Sequence, residues 1–130
     1  MWEIVKMASS PIVGVWRVRA EGAPFPYHMF AFHSDGILHQ SNPPAGNTTT
    51  SDTAGLGVWE DRGGAVKARL EEYRLACHDH SITRGVIELT LSVSHNSFTG
   101  TAEFNVYDVD DKHLDGPLYA TVEGQKVTLV

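Results

Sequence analysis

Two neighbouring stretches of the chain alternate strictly in character. In the first, Ile87, Leu89, Leu91 and Val93 interleave with Glu88, Thr90 and Ser92. In the second, Phe98, Gly100, Ala102, Phe104 and Val106 interleave with Thr99, Thr101, Glu103 and Asn105. Successive side chains of a β-strand point to opposite faces, so a period of two marks a strand with one face buried and the other wet. The same reading predicts strands at residues 12–19, 27–33, 37–41, 55–60, 82–94 and 97–107. A closing hairpin is expected from 118–122 and 126–129, about Gly124-Gln125. Ser34-Asp35-Gly36 reads as a tight turn returning one strand on the next.

Residues 65–77 pose a conflict. Ala, Lys, Arg, Leu and Glu dominate them, which favours a helix on local propensity. Yet Val66, Ala68 and Leu70 alternate with Lys67, Arg69 and Glu71, a spacing that would scatter the charges round a helix. With strands on both sides and short connections, a strand is expected. Many short strands at hairpin spacing point to an all-β fold, a single up-and-down antiparallel β-barrel of about eight strands. Closure removes exposed edges. An eight-stranded interior holds packed side chains or one small ligand.

Composition narrows the function classes. The 130 residues suit one domain, with 1–10 as a lead-in and 11–130 as the barrel. Residues 1–10 show no basic segment leading into an apolar run, and no apolar run reaches the length of a membrane span, so a cytoplasmic protein is expected. Cys77 is the sole cysteine, which excludes an internal disulfide and suits a reducing compartment. The net charge is −6 and the basic residues are scattered. That argues against a nucleic-acid groove, which needs an uncompensated basic stripe, and against a membrane surface site. A monomer or homodimer is expected, because a closed sheet leaves no edge that demands a partner.

The dipeptide environment of two tryptophans carries a resemblance. Gly14-Val15-Trp16 is similar to the Gly-x-Trp signature of lipocalins and the wider calycin barrels, and Gly57-Val58-Trp59 repeats it. With Ala31-Phe32-His33-Ser34-Asp35-Gly36, Phe98-Thr99-Gly100-Thr101 and Val106-Tyr107-Asp108, the chain resembles small bacterial-type barrels of calycin or allene-oxide-cyclase kind. It departs from lipocalins in its shortness, in lacking their second motif and in having no clear C-terminal helix. The resemblance implies a calycin-like barrel with a cavity. It transfers no ligand and no catalytic residue.

Candidate site residues follow from strand faces. Trp16 and Trp59 each have a glycine two residues earlier, which leaves room for an indole on that face; they either wall a cavity or plug the barrel floor. Phe30 and Phe32 share a face with His28, and a neutral imidazole among them would accept or relay a proton; alternatively His28 lies at the strand entrance, bonded to backbone or water. Glu72 continues the apolar face of Val66, Ala68 and Leu70, where desolvation would raise its pKa into the range of a proton donor or base; alternatively it pairs with Arg74 or Arg69 in solvent. The polar face of Glu103, Asn105 and Tyr107 is expected in water. His78-Asp79-His80 lacks the further ligands a cupin site needs, and Asp108, Asp110 and Asp111 are followed by Lys112 and His113 where a calcium loop needs an oxygen ligand and a glycine. No metal site is expected.

The expectation is a barrel that takes a small hydrophobic molecule and acts without cofactor as a cyclase or isomerase on a polyketide- or terpenoid-like substrate of secondary metabolism. In it His28 and Glu72 are catalytic, Trp16, Phe30, Phe32, Trp59 and Leu70 bind substrate, and residues 42–54 form a mouth or lid. A non-catalytic carrier of a hydrophobic ligand is the alternative, and a barrel filled by its own side chains a third.

Overall fold

A computed structural model describes residues 10–23, 25–42 and 50–130. Among the described residues there are nine strands and no helix. They are β1 (Gly14–Glu21), β2 (Tyr27–Phe32), β3 (Ile37–Ser41), β4 (Thr50–Asp52), β5 (Gly55–Asp61), β6 (Ala65–Ala76), β7 (Ile82–Ser94), β8 (Ser97–Asp108) and β9 (His113–Lys126). Every pairing is antiparallel. The hydrogen-bonded order runs β6-β5-β3-β2-β1-β9-β8-β7, and β7 pairs back onto β6 over eleven residue pairs to close an eight-stranded up-and-down barrel. The ninth strand, β4, extends the edge of β6 that β5 occupies: β5 pairs with residues 66–71 and β4 with 74–76.

Of residues 65–77, 65–76 form strand β6 and Cys77 begins the turn after it. Val66, Ala68, Leu70 and Glu72 are all buried, and Lys67, Arg69 and Glu71 lie on the outer face. Arg69 there bonds Glu71 and Glu88 at 3.2 and 3.0 Å. The period of two therefore overrides the helical propensity of the individual residues, because only a strand puts all four inward positions into one interior.

The expected hairpin about Gly124-Gln125 is not formed. Residues 113–126 are one continuous strand, paired with β8 on one side and β1 on the other. Gly124 is a strand residue whose missing side chain makes room for a ring: a Cβ there would lie 2.3 Å from the Phe98 ring. The glycines before the tryptophans also do something other than house the indoles. A Cβ on Gly57 would fall 2.0 Å from the Arg69 carbonyl oxygen, and one on Gly14 would fall 2.8 Å from Cε of Lys126. They permit close approach of the next strand and of a lysine stem.

The inward side chains sort by barrel end. At the end holding the start of β1, the interior is packed solid by Trp16, Phe32, Leu38, Trp59, Val66, Leu91 and Phe98, all at most 4% exposed. Trp16 and Phe98 pack with rings tilted at 52° and centroids 4.9 Å apart, and Phe32 meets Trp59 edge-on at 6.1 Å. Each indole N–H finds a carbonyl, Trp16 that of Ile12 at 2.8 Å and Trp59 that of His33 at 2.9 Å. Residues 10–13 fold across this end: Ile12 is fully buried, Ser10 bonds Asp61 at 2.6 Å, and Lys126 reaches the Pro11 carbonyl at 2.9 Å while lying over Trp16. The other end holds the candidate site.

Candidate functional site

Toward the ends of β1, β3, β6 and β8 and the starts of β2, β7 and β9, the packed interior gives way to a cavity of about 150 Å³. That volume suits a guest about as large as one six-membered ring. Phe30 lies at its base and contacts Phe32 at 5.9 Å, so an aromatic chain runs from the cavity into the packed end. A wider hollow of about 550 Å³ lies on the outer wall near Arg17, Tyr27 and Gln125. It is more open and gathers fewer buried polar groups, so the interior cavity is the candidate site.

The cavity has two unlike walls. The strands β7, β8, β9 and β1 supply Ile87, Leu89, Ala102, Phe104, Val122 and Ala20. The strands β2, β3, β4 and β6 supply His28, Gln40, Asp52, Glu72 and Arg74, and Asn42 joins them from just past β3. The polar groups are knitted together. Gln40 Nε2 donates to Asn42 Oδ1 at 2.8 Å, and Asn42 Nδ2 donates to Glu72 Oε2 and to the Thr53 carbonyl. Met29 pairs with Ser41, so His28 and Asn42 are next along these two chains. Asp52 faces Arg74 across the β4–β6 pairing, with Oδ1 3.6 Å from Nε, and Thr50 Oγ1 donates to Asp52 at 2.8 Å. The Arg74 guanidinium lies over the Phe104 ring at 5.3 Å, which joins the polar wall to the apolar one.

Glu72 is 7% exposed. Burial pushes its carboxyl up from an ordinary 4.5 to about 7; the nearby Asp52 charge pushes the same way and Arg74 opposes both. A carboxyl so placed exchanges a proton near neutrality. Two polar atoms on this wall are buried with no hydrogen-bond partner among the described residues, His28 Nδ1 and Arg74 Nε. Such atoms are uncommon in folded proteins and invite a ligand.

Of the residues singled out from sequence, His28, Glu72 and Phe30 line this cavity. Trp16, Phe32, Trp59 and Leu70 do not border it; they belong to the packed core. The expected lid at 42–54 falls in large part on 43–49, outside the described residues, while Asn42 and Asp52 at its two ends line the cavity. Sequence reasoning missed Gln40, Asn42, Asp52 and Arg74. Two carried a legible signal: Gln40 stands two residues after Leu38 and Arg74 two after Glu72, so period two places each on an inward face. Comparison with protein-family models, with curated proteins and with solved structures returned no match.

Proposed function

We propose that the open half of this calycin-like barrel binds one small molecule, its body against Ile87, Leu89, Phe104 and Val122 and its polar end against the Asn42–Glu72–Arg74 wall. Glu72, with His28, then moves a proton in a cofactor-free cyclisation or isomerisation. One proton passes from substrate carbon to the Glu72 carboxylate and one returns at a second position, so the product keeps the composition of the substrate and no oxidant is required. Holding the guest in a reactive shape adds to the rate through orientation. The observation that carries this reading is a buried carboxyl, pushed up to about 7 by desolvation, on the wall of a ring-sized cavity. A hydrocarbon body and ring-forming chemistry fit the allene-oxide-cyclase-type resemblance, and a cavity of this size admits one ring of a polyketide- or terpenoid-like molecule at a time.

The test has two stages. In methyl-labelled protein, small cyclic and unsaturated molecules should shift the Ile87, Leu89 and Val122 signals. Ala102→Phe, which fills the cavity, should abolish those shifts while the spectrum stays folded. Binding molecules incubated with protein in heavy water should then gain carbon-bound deuterium, read by mass spectrometry, and Glu72→Gln should stop it. Binding without deuterium gain in any of them would reduce the protein to a carrier, and no methyl shift at all would sink the site.

A further inference from the structure

One of the two unpartnered nitrogens narrows the guest's chemistry. Arg74 Nε is buried without a hydrogen-bond partner, its closest carboxylate oxygen lying at 3.6 Å on Asp52. The guanidinium is held in place by Phe104 beneath it and by Thr50, whose Oγ1 accepts from the NH2 group at 3.4 Å. Arg74, paired in charge with Asp52, thus holds on the cavity wall a fixed Nε–H whose nearest carboxylate oxygen stands beyond hydrogen-bond length. Glu72 stands two residues before it on β6, and alternate residues share a face, so both side chains meet the same side of the cavity. The Glu72 carboxyl retains its proton toward neutral pH because it is buried beside Asp52, and in that form it is a second donor. Asn42 Nδ2, the other donor close by, is already bonded to Glu72 and Thr53.

We propose, resting on the reading of this cavity as the binding site, that its guest presents an uncharged carbonyl oxygen to Arg74 Nε–H and is a small cyclic ketone, lactone or ester. A carbonyl oxygen has two lone pairs and no hydrogen of its own to place, so it takes both donors. A hydrocarbon would leave the Arg74 N–H without a hydrogen bond. A carboxylate would add a third acid beside Asp52 and Glu72, with one guanidinium to balance them, in a poorly solvated space. The bound carbonyl is polarised, which loosens the hydrogens on the neighbouring carbons. The ionised form of Glu72, present beside the protonated one near neutral pH, is the base that takes one of those hydrogens while Arg74 Nε–H holds the carbonyl.

Three probes of similar size separate the possibilities: cyclohexanone, methylcyclohexane and cyclohexanecarboxylate. Affinities come from methyl shifts of Ile87 and Leu89, and the carbonyl stretch of bound cyclohexanone from difference infrared spectra. Cyclohexanone should bind about tenfold tighter than methylcyclohexane, as expected of a hydrogen bond from a charged donor, and its stretch should move to lower frequency. The neutral pair Arg74→Met with Asp52→Asn removes the Nε–H without stranding a charge; it should erase both the advantage and the frequency shift. If that pair does not fold, Arg74→Leu with Asp52→Asn serves the same purpose. Equal binding of ketone and hydrocarbon, or an unshifted carbonyl stretch, would overturn the carbonyl assignment while leaving the cavity a binding site. Tightest binding of the carboxylate would overturn it in favour of an anion. Failure of all three probes to shift any cavity methyl would remove the binding site along with it.

Discussion

Glu72 sets the clearest expectation for a single residue. It faces Asp52 from β4, Arg74 from its own strand, and Asn42 and His28 from the β2–β3 side. In the fold its carboxyl holds a proton up to about pH 7, whereas the unfolded chain releases it near the ordinary 4.5. Between those values the folded state binds more protons than the unfolded one, so stability falls as pH rises through that window and is level above it. A rise from 4.5 to about 7 corresponds to about 3 kcal/mol. Glu72→Gln should flatten this slope and leave the variant more stable than the parent by a comparable amount at about pH 8, with near parity at about pH 4. Urea titrations at a series of pH values read the difference directly. His28 was reachable from sequence because it shares a face with two phenylalanines. Asp52 was not, since it lies in a Thr-, Ser- and Asn-rich stretch that carries no period, and only its pairing with Arg74 turns it inward.

Among the strands, β5 and β9 show how glycine shapes a small barrel. Gly57 sits where β5 presses on β6, and a Cβ there would meet backbone atoms of Arg69 and Leu70 at 2.0–2.8 Å. Backbone cannot rotate away as a side chain can, so Gly57→Ala should cost about 3 kcal/mol, the upper end of ordinary overpacking. Gly63→Ala gives a comparison, since a Cβ at that turn meets nothing within 4 Å and only its positive φ opposes the change. Chemical denaturation of the two variants side by side checks the order. The strands with regular alternation, β6 to β8, were legible because their inward and outward residues differ so sharply. The last strand was not: Gly116-Pro117 and Gly124-Gln125 both resemble turns, and the small inward residues Ala120 and Gly124 supply little apolar signal. Gly124 is inside a strand because Phe98 from β8 occupies the space its side chain would fill.

At the scale of the whole molecule, stability and binding occupy opposite ends. The packed end holds both indoles and Phe98, and the open end holds most of the buried polar groups. Trp16→Phe removes part of a fully buried ring and the hydrogen bond to the Ile12 carbonyl. It should cost about 2 kcal/mol of stability. Affinity for a cavity probe should change by less than about twofold, because distant sites without shared partners act independently. Thermal unfolding and probe titration on the same variant test both halves of that statement. The barrel itself was legible from strand count and spacing. Its division into two ends was not, because tryptophans at inward positions read equally as wall or as plug, and only the segment across the end of β1 decides between them. With Ile12, Trp16 and Lys126 stoppering that end, the described residues leave a guest to come and go at the opposite end, which Leu118 and Tyr119 border, so departure and arrival compete for the same passage.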